Sequence, residues 1–102
     1  MEKITIASSS PHFTQEHLLF GHSYLLEFEW IEREGTWLLH LFDGLENPIA
    51  LGLKVTDEAP IFVDKATNIL FLLMANKPNA SLDFASLHKD FSLIAEKADA
   101  LI

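Results

Sequence analysis

From Ser23 to Trp30 the side chains alternate. Tyr24, Leu26, Phe28 and Trp30 fall on one side, Glu27 and Glu29 on the other, the period-two signature of a strand with one buried face. Glu32-Arg-Glu-Gly35 supplies a turn. Beyond it Trp37, Leu39 and Leu41 share one face and Thr36, Leu38, His40 and Phe42 the other, so the next strand is expected to be covered on both sides. Asp43-Gly44 and Asn47-Pro48 bracket a further connection. Ile49, Leu51, Leu53 and Val55 then alternate with Ala50, Gly52 and Lys54, and Gly52 suits a bulge or a close backbone approach. Upstream, Ile4 and Ile6 flank Thr5. Thr14 to Phe20 reads as a strand with Leu18 and Phe20 on one face beside Glu16, joined by Gly21-His22 in a type II′ hairpin. Downstream, Ile69 to Met74 is a continuous apolar run that fits a strand buried on both faces.

The pattern predicts strands near 3–6, 14–20, 23–31, 36–43, 49–55 and 69–74, with hairpins joining the second to the third and the third to the fourth. The expected class is all-β and mainly antiparallel, a small barrel or curled sandwich. The expected core is Tyr24, Leu26, Phe28, Trp37, Leu39, Leu41, Ile49, Leu51, Leu70 and Leu72. The C-terminal quarter is two-valued. Phe84, Leu87, Phe91, Ile94, Ala98 and Leu101 recur at helical spacing, and Ser81 or Asp83 suits a cap. Phe91, Leu93 and Ala95 also alternate, as a closing strand would.

At 102 residues the chain is expected to form a single domain spanning 1–102, long enough to bury a core without disulfides or metals. It has no cysteine, which removes thiolate chemistry and fits a reducing compartment. Met1 to Ala7 lacks the features of a signal peptide, and no apolar run approaches a membrane span. The expectation is a protein with no membrane partner. Seven basic against fifteen acidic residues give a net charge of −8, and Arg33 is the single arginine. Phosphate binding needs clustered cations, so no nucleic-acid partner is expected. Apolar residues make up 49% and charged ones only 22%, leaving apolar surface for assembly.

The candidate chemistry is thin. His12, His17 and His22 recur every fifth residue, but on a strand and turn they do not converge, while His40 and His88 lie elsewhere. Glu27 and Glu29 share a strand face about 7 Å apart, most simply as solvated side chains. Glu32 and Glu34 belong to a turn, and Asp57, Glu58 and Asp64 match no calcium loop. Ser8 to Ser10 lacks a nucleophile-elbow context, and Asn79-Ala-Ser81 is a sequon without a secretion signal. Trp30 and Trp37 flank a turn. Cross-strand core packing is the simpler reading, and a carbohydrate- or partner-binding platform is the alternative. No catalytic, cofactor-binding or metal-binding residue is assigned, no cofactor is expected, and the chain is not expected to be an enzyme.

Read in order, Gly21-x-x-Tyr24-x-Leu26-x-Phe28-x-Trp30, Gly35-x-Trp37-x-Leu39-x-Leu41-x-Asp43 and Asn47-Pro-Ile-Ala-Leu-Gly-Leu53, followed by Leu70-Phe-Leu-Leu73, Asp83-Phe84, Leu87 and Phe91-Ser-Leu93, the chain resembles the phage baseplate plug family of contractile tails, known from a cyanophage. The likeness covers most of residues 14–96. It implies one helical turn near Asp83 to Leu87 and then a strand at about 90–95. It also implies a non-enzymatic, barrel-like structural protein of a phage or prophage tail baseplate that closes the tail tube and links hub and spike proteins. Three copies in the virion are implied, made in the host cytoplasm. Loops such as Thr56–Lys65 are expected to meet those partners. The alternative from the residues alone is a stand-alone β module that binds protein or carbohydrate.

Overall fold

The computed structural model describes residues 2–63 and 67–97. Asp64 and Lys65 at the end of the expected contact loop, and Ala98 and Leu101 of the helical pattern, lie outside them. Eight strands and one short helix follow in order: β1 (Glu2–Ile4), β2 (His12–Leu19), β3 (His22–Ile31), β4 (Thr36–Asp43), β5 (Pro48–Lys54), β6 (Ile61–Phe62), β7 (Ile69–Ala75), α1 (Leu87–Asp90) and β8 (Phe91–Lys97). They form two antiparallel four-stranded sheets, β1-β8-β7-β6 and β2-β3-β4-β5. Both sheets contribute to one core cluster. The class is all-β as expected, but the sheets stay open and do not close into a barrel.

The central hairpins stand where the alternation placed them. Tyr24 pairs with Asp43, Leu26 with Leu41, Phe28 with Leu39 and Trp30 with Trp37. Tyr24, Leu26, Phe28, Trp37, Leu39, Leu41 and Leu70 are buried, as expected. Three expected core residues depart. Ile49 and Leu72 are half-buried, and Leu51 is 60% exposed. The cause for Leu51 is local. Pairing runs Leu39–Leu53 and then Leu41–Ala50, so Leu51 and Gly52 together stand opposite His40 in a bulge, and Gly52 takes φ +73°, which glycine adopts at little cost. An extra residue shifts the strand's alternation, so counting by twos fails past it.

The first hairpin is displaced by one residue from expectation. Leu19 pairs with His22, which leaves Phe20-Gly21 as the connection. Both have positive φ, +52° and +83°, as a type I′ turn requires, in place of the expected type II′. Moving the turn by one residue shifts the pairing by two positions, so the faces are unchanged: Leu19 lies on the buried face of Tyr24, and Leu18 on the outward face of Leu25, where it is 69% exposed. A phenylalanine in left-handed backbone is disfavoured, and two contacts hold it. Its N–H donates to Glu2 Oε2 (2.7 Å), and Lys97 Nζ lies 5.1 Å from its ring centroid.

The second face of β4 is covered only in part: Leu38, His40 and Phe42 are half-buried, which cuts back the expectation of cover on both sides. β7 pairs with β8 along its whole length and is buried at Ile69, Leu70, Phe71 and Leu73. At its far end Met74 is exposed. At the C-terminus the strand prevails over the helix. Leu93 and Ala95 are buried with Phe91, and pairing with both β1 and β7 satisfies β8's backbone on two sides, which a helix there would forfeit. The helical turn is confined to Leu87–Asp90. Asp83 and Ser86 fix the approach to it: Ser86 N–H donates to Asp83 Oδ1 (2.8 Å) and Asp83 N–H donates to Ser86 Oγ (2.9 Å). The two-residue β6 was not anticipated as a strand. Its sequence signal is Ile61-Phe-Val63, too short to count on its own.

Candidate functional surfaces

The aromatic residues singled out in the sequence converge on one end of the core. Trp37 is buried, with ring centroids of Phe13, Trp30 and Phe84 at 6.0, 5.5 and 5.8 Å. Its indole N–H donates to the Asp83 carbonyl (3.2 Å), across 46 residues of chain. Core packing is therefore Trp37's role. Trp30 is half-buried, and its N–H donates to Glu32 Oε2 (2.6 Å). Beside it a cleft of about 200 Å³ is lined by Trp30, Lys54, Asp57, Glu58 and Leu82 among others.

The histidines and glutamates meet in pairs. Glu27 is bonded to His12 on β2, and Glu29 Oε1 to His40 Nε2 on β4 (3.1 Å). The two carboxylates are thus drawn to opposite neighbouring strands instead of converging on one proton. The Gly52 N–H donates to His40 Nδ1 (2.9 Å), so Nδ1 must be unprotonated and Nε2 carries the hydrogen directed at Glu29. His40 thereby fastens the β5 bulge to β3, a role that only Gly52 signals in the sequence. His17 contacts Gln15 (2.6 Å between Nε2 atoms), and partial burial lowers its pKa below 6.5. The same Gln15 accepts from Ala7 N–H (3.0 Å) and donates to the Thr5 carbonyl (2.9 Å). It thus ties the segment after β1 to the other sheet. Among the described residues no three His, Asp or Glu side chains gather as a metal-ligand set.

The Asp43 to Pro48 connection is built around one carboxylate. Asp43 Oδ1 accepts the N–H groups of Leu45 and Asn47 (both 2.9 Å), and Oδ2 accepts the Asn47 amide (3.3 Å). The Asn47 backbone N–H is the main cause holding the Asp43 pKa below its ordinary value. Asp83 is lowered likewise, chiefly by the Ser86 backbone N–H. Next to the Asp43 turn lies a wider open cleft of about 590 Å³, lined by His22, Tyr24, Asp43, Leu45, Ile49 and Lys97 among others.

The exposed apolar side chains distinguish the sheet faces. Phe62 pairs with Leu70 and points away from the core-facing Ile61, and Met74 stands two rows along β7. They are 63% and 52% exposed. The residues that characterise this molecule are thus packing, turn-forming and surface-contact residues on an open β sandwich, the class of a small interaction protein. A family model described as "Cyanophage baseplate Pam3 plug gp18" matches residues 1–98. The chain belongs to this family, and membership places it among the structural proteins of the phage baseplate. No curated protein matches it.

Proposed function

We propose that the chain is a non-enzymatic plug of a phage or prophage tail baseplate, which closes the tail tube and joins hub to spike, with three copies in the virion. Membership of the baseplate plug family over residues 1–98 is the observation that carries the reading. The site geometry is compatible with it. Asp43 and Asn47, which stand in the family-like pattern, organise a turn, and Trp37 and Phe28 fill the core. The reading assigns no catalytic, cofactor or metal residue. The net charge of −8 suits a wall that must not hold DNA, since a negative lumen repels phosphate.

The test is reconstitution with the hub protein of the same gene cluster, followed by size exclusion. Co-elution, together with defective tails when the gene is deleted, is expected. Persistent separation from hub and spike, with tails assembling normally in its absence, would overturn the reading and leave a stand-alone binding module as the better account.

A further inference from the structure

The two outward sheet faces differ in charge. On β2-β3-β4-β5 the face that carries Leu18, Leu25 and Phe42 also carries Glu16, Glu27, Glu29 and Lys54, with His12 and His40 between them. On β1-β8-β7-β6 the outward residues of the four strands are Lys3, Ser92, Ile94, Glu96, Leu70, Leu72, Met74 and Phe62. Leu70 and Ser92 are already sealed within the chain and Leu72 and Ile94 are half-buried, whereas Phe62 and Met74 stay exposed. Among the described residues the ionisable groups on this face are Lys3 and Glu96, whose charges cancel, in a chain that carries −8 overall.

We propose that the outer face of β1-β8-β7-β6, through Phe62, Leu72, Met74 and Ile94, is the surface by which one copy of this chain meets another. Copies of a strongly acidic chain repel one another, so a homotypic contact forms where few carboxylates are brought together. Meeting through the other sheet would juxtapose Glu16, Glu27 and Glu29 from each copy. The face around Phe62 and Met74 is depleted of charge and holds an aromatic and a methionine, the residue types enriched in the centres of protein interfaces.

Two seven-residue strands flanked by short ones span about 400 Å², part of which Leu70 and Ser92 have already lost to the chain's own cover. Two copies joined through the rest remove under about 800 Å², less than stable complexes do. The free chain is therefore expected to associate weakly and to hold the contact firmly only within an assembly. The proposal rests on the multi-copy part of the baseplate reading and assigns it a surface.

Sedimentation equilibrium from about 10 μM to about 1 mM reads the contact directly. The parent chain is expected to gain average mass with concentration. Phe62→Glu/Met74→Glu should weaken association by about 30-fold or more. Leu18→Glu, exposed on the opposite face, should associate like the parent. All three positions are exposed, and unchanged far-UV circular dichroism confirms that each variant is folded. A parent chain that stays monomeric throughout overturns the proposal, as does a double variant that associates normally or a loss caused by Leu18→Glu instead. Mixing the same variants with the hub protein separates the two readings. If the double variant still co-elutes with hub, the contact is between copies. If the parent does not self-associate and the double variant loses hub, this face belongs to the hub and the proposal fails while the baseplate reading stands.

Discussion

Replacing Trp37 by alanine tests the claim that this indole joins the core to the C-terminal segment. The side chain is buried, and three aromatic rings lie within 6.0 Å of its centroid. Truncating a buried tryptophan costs about 3–5 kcal/mol through lost transfer energy and the cavity left behind. Losing the bond to the Asp83 carbonyl adds about 1 kcal/mol, and the aromatic pair terms partly overlap with the cavity cost. We expect about 4–5 kcal/mol in total, a large share of the roughly 5–15 kcal/mol that stabilises a domain of this size. At about 4–8 °C per kcal/mol the melting temperature should fall by about 16–40 °C. Urea unfolding followed by far-UV circular dichroism gives the free energy, and the remaining Trp30 reports locally by fluorescence. Trp37→Phe keeps most of the packing and loses only the donor, so it should cost about 1–2 kcal/mol. A loss below about 1 kcal/mol in Trp37→Ala would refute the burial argument and return Trp37 to a surface role.

Gly52→Ala should cost about 1–2 kcal/mol, because φ +73° is disfavoured with a Cβ, although no atom lies within 4 Å of where that Cβ would stand; urea midpoints measure it. Acid should reduce stability in two stages. His17 has a lowered folded pKa, so the unfolded chain takes up its proton first and stability declines as pH falls below about 6.5, a stage that His17→Asn should remove. Asp43 and Asp83 also have lowered folded pKa values, so their contribution is complete above the unfolded value near 3.8 and is lost as pH falls through the folded one. Thermal melts between about pH 3 and pH 8 follow both stages, and a curve flat down to pH 4 would contradict the first.

The parts of the fold legible in the sequence were those where one face is buried and nothing interrupts the count. β3 and β4 satisfy both conditions, and their cross-strand partners follow from the alternation and one glycine turn. Legibility fails where backbone conformation breaks the count. The first hairpin turns one residue earlier than its glycine suggests because Phe20, a residue ill suited to positive φ, occupies the turn with help from Glu2 and Lys97, which are distant in sequence. Leu51 is turned out by a bulge that His40 fastens from the neighbouring strand. The C-terminal choice between helix and strand is decided by β1 and β7, whose free edges no local pattern reveals. For the surfaces, the sequence marked the pairing residues Glu27, Glu29 and His40 without their partners. It could not show that the apolar run of β7 ends at an exposed Met74 beside Phe62.

The outer strands of the sheets bear on how this protein stops assembling. The edges of one sheet are β1, with three residues, and β6, with two, and in the other sheet β5 is bent by its bulge at Gly52, which leaves the eight-residue β2 as the one long edge. A strand that short, or that twisted, offers too few consecutive free amides and carbonyls to template the next chain. Continuous growth of a sheet needs both of its edges, and neither sheet has two long ones. Growth by main-chain pairing into a fibre is therefore suppressed, and the proposed contact between copies is one of side chains on a face of limited area. Such a contact saturates once that face is filled, which favours a small closed assembly over an open polymer.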